Sequence, residues 1–85
     1  MRPRRVIYTK EQDVEFAKRL GQELRKKRKE AGLSQRELAY ELNISESTIK
    51  NYELGLTVPL VSIIARYCDL LFLDARKLMN LYFVD

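Results

Sequence analysis

Side chains that carry out covalent or metal chemistry are scarce in this 85-residue sequence. It has no histidine, which removes the usual general base and the commonest metal ligand, and Cys68 is its single cysteine. Gly21, Gly32 and Gly55 stand too far apart for a phosphate-binding glycine motif, and no serine has a base placed to activate it. We therefore expect no enzymatic activity, no cofactor and no metal site.

Charge is distributed unevenly along the chain. Residues 1–33 hold 11 Lys and Arg against 5 Asp and Glu, a net charge of +6, whereas residues 34–85 hold 5 against 7, a net charge of −2. The densest run is Arg25–Lys29, and residues 1–8 look like a basic arm. A basic front end indicates a surface that faces a polyanion, with nucleic acid as the leading candidate. A solvated helix face is the alternative explanation of the run.

Length and hydropathy limit the chain to one small domain. The longest apolar runs, such as residues 70–73, are far shorter than the about 20 residues that cross a membrane. We therefore expect no transmembrane helix and no secretory signal. A single cysteine forms no intrachain disulfide, which is typical of the reducing cytoplasm, and we expect Cys68 to be a small core residue.

Apolar residues recur at helical spacing, and capping residues divide them into five helices. Thr9 with Gln12 and Ser34 with Glu37 match capping boxes, and Ser45 is a further N-cap. The predicted helices cover about residues 10–31, 60–71 and 75–83, with two shorter helices between the first two of these. One of the shorter helices starts after Ser34 and ends before the turn at Asn43, and the other starts at its cap Ser45 and runs to about Glu53. No alternation typical of strands occurs, so the pattern predicts an all-α fold.

The second and third helices meet the requirements of a helix-turn-helix unit. Their crossing needs a small side chain, which Ala39 supplies, and the turn needs a residue that accepts a positive φ, which Asn43 supplies. The inner faces need apolar residues, and five are in register: Leu38, Leu42, Ile44, Ile49 and Tyr52. The signal is specific because all these positions agree.

Three segments carry a family resemblance: residues 33–39, 43–49 and 52–55, which read LSQRELA, NISESTI and YELG. They resemble the Cro and phage-repressor type of helix-turn-helix family, over about residues 20–78. The resemblance implies a five-helix lambda-repressor-like DNA-binding domain whose third helix lies in the major groove.

The resemblance implies two kinds of DNA contact. The first turn of the third helix reads base edges, which corresponds to Glu46, Ser47 and Thr48, with Asn51 one turn later. Asn51 suits adenine and Glu46 suits a cytosine amino group. The residues implied for the DNA backbone are Gln35 and, as further candidates, Arg36, Ser45, Lys50 and Thr57. An ordinary solvated helix face is the alternative for these polar side chains.

An internal ion pair between Arg28 and Glu53 is also implied by the resemblance. Such a pair makes Arg28 a structural residue and leaves the basic run with fewer cations for DNA. The alternative is that both side chains are exposed.

The sequence departs from the family in the loop after the third helix, which often carries Lys or Arg. Residues 54–59 contain no cation, and residues 34–55 hold two cations against four carboxylates. We therefore expect DNA affinity to depend on the first helix and on Arg2, Arg4 and Arg5 of the arm. A merely solvated tail explains the arm equally well.

The fourth helix is apolar on two faces. One predicted stripe, for the domain core, contains Val61, Ile64, Ala65, Cys68 and Leu71. The second contains Leu60, Ile63, Tyr67 and Leu70. Because a second stripe needs a second surface, we predict that the fourth and fifth helices form the dimerisation region of a homodimer. Packing of these residues on the first helix of the same chain is the alternative.

These features predict a DNA-binding domain over residues 9–85 that recognises a specific double-stranded sequence and regulates transcription. We expect repression by a dimer on a palindromic operator. A protein-interaction module, such as an antitoxin that binds a partner protein, is the alternative, favoured by the acidic motif and the uncharged loop.

Overall fold

The computed structural model describes residues 8–83 and contains, within that range, five α-helices and no strand. The helices are α1 (Lys10–Glu30), α2 (Gln35–Leu42), α3 (Glu46–Glu53), α4 (Val61–Leu71) and α5 (Ala75–Asn80), followed by a 3-10 turn at Leu81–Phe83. The predicted all-α fold with five helices is confirmed, although α5 ends at Asn80 rather than Phe83. The basic side chains of the predicted arm lie outside the described residues. No helix within residues 8–83 is long and apolar enough to span a membrane.

Capping boxes fix the starts of α1 and α2. The Thr9 hydroxyl accepts from the Gln12 N–H at 3.2 Å, and the Gln12 side chain accepts from the Thr9 N–H at 2.8 Å. Ser34 and Glu37 form the same reciprocal pair at 3.0 and 2.8 Å. Both predicted capping boxes are therefore confirmed, since each satisfies two backbone donors that a helix start leaves unpaired.

The turn between α2 and α3 follows the predicted chemistry. Asn43 has a φ of 58°, which is the left-handed conformation that asparagine tolerates. Ala39 is buried where α2 crosses α3. The core that these helices share with α1, α4 and α5 contains Phe16, Leu20, Leu24, Leu38, Leu42, Ile49, Tyr52, Ile63, Ile64, Tyr67 and Leu78.

A close backbone approach joins α1 to the C-terminal end of α3. A Cβ atom at Gly21 would overlap the carbonyl oxygen of Tyr52 and lie 2.9 Å from that of Glu53. Gly55, with a φ of 74°, lies against the backbone of Lys18 in the same way. Only glycine fits at both places, so the spacing and direction of α3 relative to α1 are set by backbone contact.

The predicted division of α4 into two stripes is wrong. Ile63 and Tyr67, expected at a dimer contact, are buried in the chain's own core, whereas Val61, expected in the core, is 82% exposed. Ala65 is also exposed. The spacing allowed either face to point inward, and the packing of α4 on α2 and α5 selects the face centred between the two predicted stripes.

The end of the chain packs on α1. The Tyr82 hydroxyl donates to Asp13 Oδ1 at 2.6 Å, and its ring lies 5.3 Å from that of Phe16. Arg19 donates to the carbonyl oxygen of Leu81 at 3.1 Å. For this segment the structure therefore favours the alternative in which apolar residues cover the first helix of the same chain.

Cys68 is half-buried and packs against the core, as expected of a small core residue. Burial raises the pKa of its thiol.

Candidate nucleic-acid interface

Helix α3 is held from one side and open on the other. Ile49, Tyr52 and Glu53 are buried against α1 and α2. Ser47 and Asn51 lie on the opposite side and are exposed. Two of the residues predicted to contact DNA bases are therefore accessible to a ligand, while the opposite side of the helix packs against the core.

Leu54 extends the exposed face of α3 by one turn. It follows Asn51 by three positions and Ser47 by seven, so the three side chains lie in one row. Leu54 is 68% exposed although it is apolar. Leu54 was predicted only as part of the uncharged loop, although its helical spacing from Ser47 and Asn51 was a signal that could have assigned it to this face.

Three hydroxyl groups cluster at the start of α3. Ser45 Oγ accepts from the Thr48 N–H at 3.1 Å and lies 2.6 Å from Thr48 Oγ1 and 3.1 Å from Ser47 Oγ. Thr48 is half-buried. Ser45 and Thr48 therefore hold the start of the helix, and Ser47 is exposed.

A buried network of hydrogen bonds joins α3 to α1 and to the turn before α2. Arg28 Nε donates to Glu53 Oε2 at 2.7 Å, and Nη2 donates to Oε1 at 2.9 Å. Arg28 Nη1 also donates to the carbonyl oxygen of Leu33 at 2.8 Å, in the turn before α2. The hydrogen bond to Glu53 raises the pKa of Arg28 against the opposing effect of burial. Arg28 is thus a structural residue, as the resemblance implied.

Gln35 joins the same network at the first residue of α2. Its Nε2 donates to Glu53 Oε1 at 3.1 Å, and the residue is half-buried. The resemblance implied a contact between Gln35 and DNA phosphate, and the bond to Glu53 was not predicted. The amide has two N–H groups, so one bond to Glu53 orients the side chain and still leaves a second donor.

The other predicted contact residues occupy exposed positions around this centre. Glu46 and Lys50 lie 4.0 Å apart as a partly exposed i,i+4 pair, which contributes little to stability. Arg36 lies on the exposed side of α2, and Thr57 is exposed in the loop that follows α3.

The basic run on α1 has two parts. Lys27 is paired with Glu23 at 4.0 Å and Glu30 at 3.5 Å, and Arg28 belongs to the buried network. The remaining cations, Arg25, Lys26 and Lys29, line an exposed groove together with Gln22 and Glu30. The run therefore offers three cations to a polyanion rather than five.

Helix α3 is short, is buried on one side and is exposed along the other, and a tight turn joins it to α2. This arrangement defines a helix-turn-helix unit. The model of the helix-turn-helix domain family matches residues 19–81, and the chain belongs to this family. The predicted resemblance to the Cro and phage-repressor type is consistent with that match. A search of curated proteins found no match to the chain. The helix-turn-helix domain is a DNA-binding domain and typically has no enzymatic activity, so membership indicates DNA binding and a role in transcription.

Proposed function

We propose that the protein is a transcriptional repressor that binds a specific double-stranded DNA sequence as a dimer on a palindromic operator. The observation that carries this proposal is the exposed row of Ser47, Asn51 and Leu54 on a helix whose other side is fixed by the core. A helix held in this way enters the major groove without rearrangement of the domain. Occupancy of the operator then blocks polymerase.

Different residues of α3 suit contacts with different bases. Asn51 pairs with the N6 and N7 atoms of adenine, Glu46 accepts from a cytosine amino group, and Ser47 and Thr48 contribute less selective hydrogen bonds. Leu54 suits the thymine methyl group, which is the apolar feature of the major groove. Together these side chains read a short half-site.

Contacts with the DNA backbone come from the periphery. Gln35, Arg36, Ser45, Lys50 and Thr57 are the candidates around the two-helix unit. Because residues 34–55 carry a net charge of −2, Arg25, Lys26 and Lys29 on α1 supply much of the attraction to phosphate.

Selection of bound sequences from a random duplex pool tests the proposal. We expect a palindromic sequence whose half-sites are centred about 34 Å apart, one turn of DNA. Titration of the selected duplex and of a random duplex at two salt concentrations should show that affinity falls steeply as salt rises. Failure to bind any duplex at low salt would rule out the proposal.

Two variants separate base reading from charge attraction. Asn51→Ala should reduce affinity for the selected duplex by about tenfold or more, the value of a bidentate base contact, and leave affinity for random DNA unchanged. Lys26→Ala, on α1, is the matched control and should weaken binding to both duplexes by a similar factor.

A protein-interaction module is the second candidate function. It is favoured by the exposed apolar segment after α3, where the family often has cations. Under this alternative the chain shows no salt-dependent association with DNA and binds a partner protein instead.

A further inference from the structure

Glu46 and Lys50 form a charged pair on the exposed part of α3. Lys50 Nζ lies 4.0 Å from Glu46 Oε2, and the two side chains are 56% and 45% exposed, respectively. Lys50 follows Ser47 by three positions and precedes Leu54 by four, so it lies beside the exposed row of α3. Because an exposed pair of this kind contributes little to stability, the fold gives no reason for it.

The Lys50 side chain points toward the start of α3. Long side chains on a helix lean toward its N-terminus and cover the preceding turn. The short distance to Glu46, the first residue of α3, shows that Lys50 does so. Its ammonium group therefore lies over the turn for which the resemblance implied base contacts, although the resemblance implied only a backbone contact for Lys50 itself.

Lys50 also removes an obstacle to the proposed contact between Glu46 and cytosine. A carboxylate in the major groove is repelled by the phosphates on both sides, and residues 34–55 already carry a net charge of −2. An ammonium group 4.0 Å away compensates the charge of that carboxylate. The two side chains can therefore enter the groove together without net charge.

The pair is complementary to the major-groove edge of a C·G base pair. That edge presents the cytosine N4 amino group as a donor and the guanine O6 and N7 atoms as acceptors. N4 and O6 are joined by a base-pair hydrogen bond and lie about 2.9 Å apart. A carboxylate and an ammonium group held 4.0 Å apart can thus face the donor and the acceptors at the same time.

An A·T base pair fits the same two groups less well. Adenine also has a donor, N6, but the N7 acceptor beside it repels a carboxylate. Thymine offers the ammonium group one acceptor, O4, with a methyl group next to it, whereas guanine offers two acceptors. The comparison favours C·G as the base pair that Glu46 and Lys50 contact.

We propose that Glu46 and Lys50 together read one C·G base pair of the half-site. The Glu46 carboxylate accepts from cytosine N4, and the Lys50 ammonium group donates to O6 and N7 of the paired guanine. This inference rests on the proposed function, because it requires α3 to lie in the major groove. It makes Lys50 a specificity-determining residue rather than a contact of the DNA backbone.

Base substitution in the selected duplex locates the contact. Each C·G pair of the half-site is replaced in turn by T·A, which exchanges donor and acceptor. At one position the wild-type chain should lose about 5- to 150-fold in affinity, the range of a specific base contact. At that position 7-deazaguanine, which lacks only the N7 acceptor, should weaken wild-type binding by about two- to tenfold and Lys50→Met binding by much less.

Lys29→Met is the matched control for Lys50→Met. Each variant removes one exposed cation, and Lys29 lies in the groove of α1, away from the base-reading turn. Lys29→Met should weaken binding to the selected and the random duplex by the same factor and keep the sensitivity to 7-deazaguanine. Lys50→Met should reduce affinity for the selected duplex at least about fivefold more than for the random one. Equal losses on both duplexes would assign Lys50 to phosphate and overturn the proposal.

Glu46→Ala should change the two affinities in opposite directions. Loss of the carboxylate removes repulsion from phosphate, so affinity for random DNA should rise by up to about fivefold. Affinity for the selected duplex should fall, because cytosine N4 loses its acceptor. A rise for both duplexes would show that Glu46 only repels DNA and would overturn the proposal.

The same titrations separate this inference from the function on which it rests. Tight binding of the selected duplex with no C·G position that depends on Glu46 and Lys50 would overturn the inference and leave the repressor function intact. Failure to bind any duplex at low salt would refute both. Thermal melting of Lys50→Met and Glu46→Ala close to the wild-type temperature would confirm that the losses arise at the DNA contact.

Discussion

The carboxylate of Glu53 receives three hydrogen bonds, two from the guanidinium of Arg28 and one from Gln35. Both charged groups are buried, and together they join α1 to the last residue of α3. Removal of one member leaves the other charge in the core without its counter-ion, which is more costly than loss of the attraction itself.

We therefore expect Glu53→Gln to lower the free energy of unfolding by about 3 kcal/mol or more, measured by urea denaturation. Replacement of both residues by apolar ones, as in Arg28→Met with Glu53→Leu, should be much less destabilising than the sum of the two single changes. Lys50→Met breaks the exposed pair with Glu46 and serves as control, with an expected change of at most about 0.5 kcal/mol. Additive single changes would show that the buried pair is not coupled.

Gly21→Ala has two opposing effects on stability, a gain in helix propensity and a loss in packing. Alanine is favoured over glycine inside a helix by about 1 kcal/mol, so an isolated α1 would gain. In the protein the added Cβ meets the carbonyl oxygen of Tyr52, and backbone cannot yield as a flexible side chain does. We expect net destabilisation by thermal melting and weaker binding to DNA, because α3 must shift. Gln22→Ala, on the exposed face of α1, should change stability by no more than about 0.5 kcal/mol.

Tyr67 is fully buried, and its hydroxyl has no hydrogen-bond partner among the described residues. Burial raises the pKa of Tyr67 well above its ordinary value. A buried hydroxyl without a partner lowers stability, so Tyr67→Phe should leave the free energy of unfolding unchanged or raise it by up to about 2 kcal/mol. Tyr67→Ala removes the ring as well and should cost about 3–5 kcal/mol. A clear loss of stability in the phenylalanine variant would show that the hydroxyl is satisfied.

Glu37 makes the stability of α2 sensitive to acid. The hydrogen bond from the Ser34 N–H lowers the pKa of Glu37 below its ordinary value. The ionised Glu37 carboxylate therefore stabilises the folded state fully at a pH above the ordinary pKa of glutamate. This stabilisation is lost as the pH falls through the lower pKa that Glu37 has in the folded state. Glu37→Gln keeps the capping geometry but does not titrate. We expect the wild type to exceed this variant in stability at pH 7 and the difference to disappear in acid, as measured by urea denaturation at a series of pH values.

The contact proposed between Leu54 and thymine is testable by removal of a single methyl group. Deoxyuridine in place of each operator thymine should weaken wild-type binding at one position by about fourfold, equivalent to about 0.8 kcal/mol for a buried methyl group. Leu54→Ala should bind both duplexes with similar affinity, since it lacks the partner for that methyl group. If the effect of deoxyuridine persists in the alanine variant, Leu54 does not read thymine.

The helix boundaries were predictable because short-range chemistry determines them. Thr9, Ser34 and Ser45 each satisfy backbone donors within three residues, and Asn43 adopts the turn conformation that its side chain favours. The Arg28–Glu53 pair is separated by 25 residues and was reached only through the family resemblance.

The inward face of α4 was not predictable from spacing. Both apolar stripes satisfied a 3.6-residue period, and the contacts of α4 with α2 and α5 decide which residues are buried. The hydrogen bond from Gln35 to Glu53 was missed for a similar reason, because it depends on how closely the start of α2 approaches the end of α3.

The buried residues that pack α3 against the rest of the fold are Ile49, Tyr52 and Glu53, all on its inner side. Ser47, Lys50, Asn51 and Leu54 are exposed and take no part in that buried packing. Under the proposed function, specificity and stability are thus encoded by separate sets of residues on α3 and its C-cap. The outward set can be randomised as a library to redirect the scaffold toward other operators, while the folded framework is inherited unchanged by every member.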